Sequence, residues 1–220
     1  FYRCPVDATP WTKGCGHEGS VSPFSNETHF AGKMPWKVEW AVKWQAIGVT
    51  VEGAGKDHMS RGGSHDLTSL VAERVLSYPV PYPIAYEWML IGGRKMSSSK
   101  GVGFAAGDML EILPPTLLRF LLVKMNIKQQ TNFDPTDPET IPKLFDEYQR
   151  YAEAYFTKSD ADMARVFELS QIDAVVKPPA VRFSVLAQWV QMPNMQEKIT
   201  AEGLDEWAKY ARIWVDRFAP

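Results

Sequence analysis

The sequence predicts an α/β protein: a parallel sheet in the middle of the chain, an α-helical region after it, and a small irregular segment before it. Three observations carry this expectation. Between residues 36 and 135, short apolar runs alternate with amphipathic stretches; over 136–220 the apolar residues recur at three and four; and residues 1–35 are rich in Gly, Pro, Ser, Thr and Asn with little periodicity. These zones, 1–35, 36–135 and 136–220, are the expected domains. At 220 residues, 45% of them hydrophobic and 23% charged, the chain has enough apolar content for one large core or two modest ones. A formal net charge of −2 gives no global attraction to nucleic acid or to an anionic membrane, so any polyanion contact must be local. No run of about eighteen uncharged apolar residues is present and the opening FYRCPVDATPW lacks the order of a secretory signal, so a soluble cytoplasmic protein with no membrane partner is expected.

Each element follows from its residues. KVEWAVKWQAIG sets Val38, Ala41, Val42 and Ile47 at helical spacing and ends on Gly48, a residue suited to the left-handed turn that closes a helix. VTVEGAG is then a strand. SHDLTSLVAERVLS is a helix with Ser64 as its N-cap, Asp66 in its first turn, and Leu67, Leu70, Val71, Arg74 and Val75 along its body. IAYEWMLI is a second, mostly buried strand that stops at Gly92-Gly93, and strand, helix, strand is the signature of a parallel crossover. Pro114-Pro115 ends a short helix in DMLEIL and opens another in TLLRFLLVKM, because proline is well placed at a first helical position. In PETIPKLFDEYQRYAEAYF the stripe Ile141, Leu144, Phe145, Tyr148, Ala152, Tyr155 marks a long amphipathic helix, and VRFSVLAQWVQ and GLDEWAKYARIWVDRF carry similar stripes.

The stretch GGRKMSSSKGVG, residues 92–103, falls beyond the carboxyl end of the second strand, where open α/β sheets place their ligands. Lys95 and Lys100 supply mobile positive charge, Ser97, Ser98 and Ser99 supply hydroxyl donors, and the flanking glycines let the backbone approach an anion. Those are parts of a phosphate site. The same residue types also make solvated turns, so on composition alone both readings stand. In the N-terminal zone Cys4, Asp7, Cys15 and His17 form C-x2-D-x7-C-x-H, four donors of the kinds a structural zinc accepts. Asp7 stands where a knuckle more often has cysteine, which leaves open both an outside fourth ligand and a chain without metal. Arg119, Lys124, Lys128, Lys143 and Arg150 suggest a side that meets phosphates, against the alternative of an ordinary solvated helix face.

KMSSSKG resembles the KMSKS signature of class I aminoacyl-tRNA synthetases, whose fuller form runs K-M-S-K-S-K-G-N; Ser98 replaces the central lysine and Val102 the asparagine. KMPWKVEWAVKWQAIGVTVEGAGKDH, GGSHD, PYPIAYEWMLIGG and DMLEILPPTLLRFLL look like consecutive blocks of the class I lysyl-tRNA synthetases, and the resemblance weakens beyond about residue 150. It implies a partial Rossmann-like nucleotide-binding fold of the HUP type. It also implies activation of lysine by ATP and Mg2+ and transfer of the lysyl group to tRNA(Lys). Carried onto this sequence, Lys95, Ser97, Ser99 and Lys100 would be catalytic. ATP would be held by Gly55, Asp57 and His58 of GKDH and by Lys95, Met96, Ser97, Ser98, Ser99 and Lys100 of the loop. Trp36, His58, Tyr86 and Glu87 would line the lysine pocket, although strand alternation sets Glu87 opposite Tyr86. Trp40, Trp44 and Trp88 are expected in the core. The family often carries a cysteine-rich knuckle, which matches the zinc reading of the N-terminal zone.

The family's H-x-G-H signature has no counterpart, since His17, His29, His58 and His65 are the only histidines and none follows another at that spacing. The chain is therefore expected to be a fragment, lacking the N-terminal half of the catalytic domain upstream and an anticodon-binding domain downstream, and inactive alone. Another class I specificity such as glutamate, and a non-catalytic tRNA-binding or interaction module, are the alternatives.

Overall fold

In the computed structural model, which describes residues 1–4, 14–20, 34–95 and 103–219, the chain divides into two compact units, Phe1–Ile84 and Ala85–Pro220. The first opens with a short antiparallel ribbon, β1 (Tyr2–Arg3) against β2 (Glu18–Gly19). Helix α1 (Trp36–Ile47) follows; Gly48 ends it at φ 74°, with its N–H on the Trp44 carbonyl, the left-handed closure that the sequence predicts. Strand β3 (Val51–Gly55) runs into a single turn, α2 (Lys56–Met59), and then α3 (Ser64–Arg74). Helices α1 and α3 pack through Ala41, Trp44 and Ala72, all at most 1% exposed, and the Thr68 hydroxyl donates to the Lys37 carbonyl at 3.2 Å.

Two details of α3 depart from the sequence reading. Ser64 is the first helical residue, and the extended Gly63 occupies the N-cap instead. The face turned to the core carries His65, Thr68 and Ala72, so Leu67, Leu70 and Val75 stand exposed. Strand β4 (Tyr82–Tyr86) pairs with β3, and the Tyr82 N–H donates to the Thr50 carbonyl at 2.8 Å, bringing the two strand beginnings together as a parallel crossover requires.

The single buried strand expected over IAYEWMLI is two strands. β4 ends at Tyr86 and is exposed along its length; after Glu87 and Trp88 the chain forms β5 (Met89–Ile91) in a different sheet. There β5 lies between β6 (Arg94–Lys95), which runs antiparallel to it, and β7 (Thr131–Asn132), which runs parallel. Gly92 (φ 54°) and Gly93 (φ 73°) form the two-residue turn between β5 and β6, a conformation that asks for positive φ at both positions.

The second unit continues with α4 (Ala106–Ile112), α5 (Pro115–Val123), α6 (Thr140–Thr157), α7 (Ala161–Ser170), α8 (Phe183–Trp189), α9 (Gln196–Ala201) and α10 (Asp205–Arg217). Pro115 is the first residue of α5, as predicted. The α6 stripe does what its period implies: Ile141, Leu144, Phe145, Tyr148 and Ala152 are buried, with Phe145 stacked on Phe183 at 4.1 Å and edge-on to Trp207 at 4.8 Å. One apolar cluster joins these to Leu117 and Phe120 of α5, Phe167 of α7 and Ala208 and Ala211 of α10, all fully buried. Between α7 and α8 the chain has no regular element and is tied by side-chain amides. Gln149 donates to the Pro179 and Val181 carbonyls at 2.6 and 2.8 Å, and Gln171 donates to the Tyr148 hydroxyl and the Phe167 carbonyl at 3.0 and 2.9 Å.

Candidate active site

In the first unit the aromatic residues of α1 build a wall. Trp36, Trp40 and Trp44 are four apart and therefore lie on one helix face. Trp36 stacks on Trp40 with ring centroids 5.7 Å apart, and Trp40 meets Trp44 at 5.5 Å. The ladder climbs from the core to the surface, from Trp44 at 1% exposed, through half-buried Trp40, to Trp36 at 47%. His58, at the end of α2, sets its ring edge-on to Trp36 at 5.7 Å and to Trp40 at 6.3 Å. Two of the residues expected to line an amino-acid pocket, Trp36 and His58, are thus brought together, both exposed. Trp44 is the core residue the sequence predicts.

Beneath the ladder lies Glu52 of β3, whose two carboxylate oxygens accept the Trp40 and Trp44 indole N–H groups at 3.0 and 2.9 Å. His65 of α3 closes the inner side, 5.4 Å from Trp44 and 6.1 Å from Trp40, with Nδ1 3.3 Å from the Ser69 hydroxyl. Sequence reasoning passed over Glu52. A lone carboxylate in an otherwise apolar strand, next to a helix with tryptophans at i and i+4, is the signal that points to it.

The GKDH segment forms the turn from β3 into α2. Gly55 is buried and caps α2 at φ −57°, a backbone conformation open to any residue, while Asp57 and His58 are exposed. The turn from α2 into α3 is tight: the Gly63 N–H donates to the Ser60 carbonyl at 2.7 Å, and the Gly62 N–H to Asp66 at 2.7 Å.

In the second unit Lys95 ends β6 with its ammonium 3.8 Å from the centre of the Trp88 ring, a cation–π contact at the root of the serine-rich loop. Trp88, half-buried, is therefore more than core packing. Met96, Ser97, Ser98, Ser99 and Lys100 lie outside the described residues. Tyr86 is 44% exposed at the end of β4, and half-buried Glu87 follows it outside either strand, its N–H on the Ile127 carbonyl, so strand alternation does not govern its direction. Of the basic residues proposed to meet phosphates, Arg119 donates to the Leu169 carbonyl at 2.8 Å, Lys124 pairs with Glu147, Lys143 with Glu139, and Arg150 lies 3.7 Å from Glu147. Internal pairing of this kind is what a solvated helix face shows. A groove of about 850 Å3 along α6, lined by Arg150, Glu153, Lys177 and Arg182 among others, contains none of the residues expected to bind lysine or ATP.

In the N-terminal ribbon the Cys4 N–H donates to the His17 carbonyl at 2.8 Å and the Cys15 N–H to the Cys4 sulfur at 3.4 Å. Hydrogen bonding from the His17 backbone, and then from Cys4, holds the Cys15 thiol below the ordinary thiol range. Among the described residues no group of three or more His, Cys, Asp or Glu gathers as a metal shell, and Asp7 lies outside them.

The model of the family described as tRNA synthetases class I (K) matches residues 2–173. The chain belongs to the class I tRNA synthetases (K). That match takes in every residue named above for lysine, ATP or metal. Among its relatives, a lysine–tRNA ligase of Thermoplasma volcanium is 34% identical over 233 residues, covering 100% of this chain and 45% of the relative. One from Thermoplasma acidophilum is 36% identical, covering 94% and 43%. One from Methanosarcina barkeri is 40% identical over 175 residues, covering 77% and 31%. The chain thus spans less than half the length of these curated relatives. Among the described residues no helix of this class I chain is long and apolar enough to cross a membrane.

Proposed function

We propose that this chain carries the signature-loop and amino-acid-pocket side of an ATP-dependent lysine–tRNA ligase. The observation that carries the reading is identity of 34 to 40% to proteins named lysine–tRNA ligase, one of them aligned over all of this chain. The chemistry of Trp36 and His58 agrees with it. An exposed indole beside an imidazole suits an aliphatic stem that ends in an ammonium.

In the reaction the lysine carboxylate oxygen attacks the α-phosphorus of ATP, the bond to the β-phosphate bridging oxygen breaks, and pyrophosphate leaves as lysyl-adenylate forms. The tRNA 3′-terminal hydroxyl then takes the lysyl group, and adenosine monophosphate departs. The protein contributes alignment and charge rather than a nucleophile. Trp36, His58 and Tyr86 hold lysine, with Glu87 a carboxylate for its ammonium. Gly55 and Asp57 meet the nucleotide, and Lys95 and Lys100, helped by Ser97, Ser98 and Ser99 with the Met96 backbone, neutralise the departing pyrophosphate. Magnesium bound with the triphosphate supplies further neutralisation. Residues 36–135 would form the catalytic part, of the HUP type, and 136–220 the part nearer the tRNA stem. Zinc would take Cys4, Asp7, Cys15 and His17 by donor type, but Cys4, Cys15 and His17, all among the described residues, do not gather as a metal shell, so no step is assigned to a metal there.

The test is lysine-dependent pyrophosphate exchange by the full gene product before and after Lys95→Ala with Lys100→Ala. A loss of two to three orders of magnitude, about 3 to 4 kcal/mol of transition-state stabilisation, is expected. Undiminished exchange in the double variant would end the role assigned to the loop, and exchange driven by glutamate instead of lysine would overturn the specificity.

A further inference from the structure

Trp36 and His58 are surface residues, and nothing intrinsic to an exposed tryptophan holds its ring in one orientation. Here the orientation is inherited. Trp36 lies against Trp40 at an interplanar angle of 24°, and Trp40 is fixed by its N–H to one oxygen of Glu52, whose other oxygen takes Trp44. Trp44 is buried, and His65 packs against both inner rings. A carboxylate spanning two indoles one turn apart sets both side chains at once, which two separate neutral acceptors would do only at a greater cost in ordering. It also sets a negative charge at the N–H edges of Trp40 and Trp44, and an indole that donates to an anion has a more electron-rich ring.

We infer that Glu52 is a positioning residue for a primary-ammonium ligand: it locks the Trp36–Trp40–Trp44 ladder so that the outer ring and His58 present a fixed wall to the side chain of the bound amino acid. This rests on the proposed lysine site, and it adds to that site a residue that touches no substrate. Glu52→Gln keeps the size and one acceptor oxygen but exchanges the other for a donor, so one indole loses its partner and the charge disappears.

The experiment uses the full gene product, titrated with L-lysine by tryptophan fluorescence, with near-ultraviolet circular dichroism recorded before lysine is added and the thermal midpoint measured for each variant. For Glu52→Gln the near-ultraviolet tryptophan bands are expected to weaken. The lysine dissociation constant is expected to rise roughly tenfold at a temperature where the protein remains folded, the scale of one lost charge-assisted hydrogen bond. Combining Glu52→Gln with Trp40→Phe should cost less than the sum of the two, because both act through one contact. A lower thermal midpoint with lysine affinity and tryptophan bands unchanged would make Glu52 a stabilising residue only and overturn the inference, as would strictly additive losses. No lysine response in the unsubstituted full gene product would instead overturn the lysine reading and the ligand half of this inference, while the dichroism still decides whether Glu52 holds the ladder.

Discussion

Gly63 is where a single methyl group separates packing from site geometry. At its extended backbone conformation alanine meets no dihedral penalty, so the effect of Gly63→Ala is purely steric. A Cβ built there lies 2.5 Å from the His58 carbonyl oxygen and 2.6 Å from that of Ser60. Both are backbone atoms, which cannot rotate aside. Even to reach the 3.0 Å that real Cβ contacts respect, the His58 carbonyl must retreat by at least 0.5 Å. Overpacking of this kind costs about 1–3 kcal/mol. The thermal midpoint should fall by about 2–4 °C for each kcal/mol in a chain of this size. Because the displaced carbonyl belongs to His58, the ring that faces Trp36 moves with it, and lysine-induced tryptophan fluorescence should weaken together with the midpoint. Gly107→Ala is the control: it lies in the first turn of α4 with nothing within 4 Å of the added carbon, and it should hold or raise stability. Equal midpoints for Gly63→Ala and the parent protein would refute the close approach of the two turns.

Phe145→Ala removes a fully buried ring stacked on Phe183 and edge-on to Trp207, and should cost about 3–5 kcal/mol in urea or thermal denaturation. Tyr148 tests a titration. Burial raises its hydroxyl pKa above the ordinary tyrosine value, so the folded state favours the neutral form. Its contribution to stability is therefore intact below the unfolded-state pKa of about 10 and is lost as pH rises through the higher folded value. Tyr148→Phe, which loses the bond from Gln171, should be less stable than the parent at neutral pH by about 1 kcal/mol, with the gap closing on the alkaline side. Denaturation midpoints at neutral pH and above pH 10 check this, and parallel curves would contradict it.

What was legible in the sequence was local. The α1 and α6 stripes, the Gly48 stop and the Pro115 start each follow from neighbours within a turn or two, and each stands where the spacing puts it. The division of IAYEWMLI was not legible, because the run is uninterrupted. The choice between β3 and β7 as pairing partners is made by residues about thirty to forty positions away. In α3 the period was right and the buried face was not: the small Thr68 and Ala72 allow close approach to α1, which Leu67 and Leu70 would hold off. Trp36 and His58 were named from resemblance, and the geometry brings them together. Glu52 went unnamed because its part exists only once two indole donors from another element converge on it.

The irregular stretch between α7 and α8 is moored by Gln149 and Gln171, side chains that neither gain nor lose a proton and carry no field for salt to screen. Its attachment should therefore hold through acid and brine that loosen the surrounding ion pairs, and a protease should find that stretch equally hard to cut in each of them until the helices beneath give way.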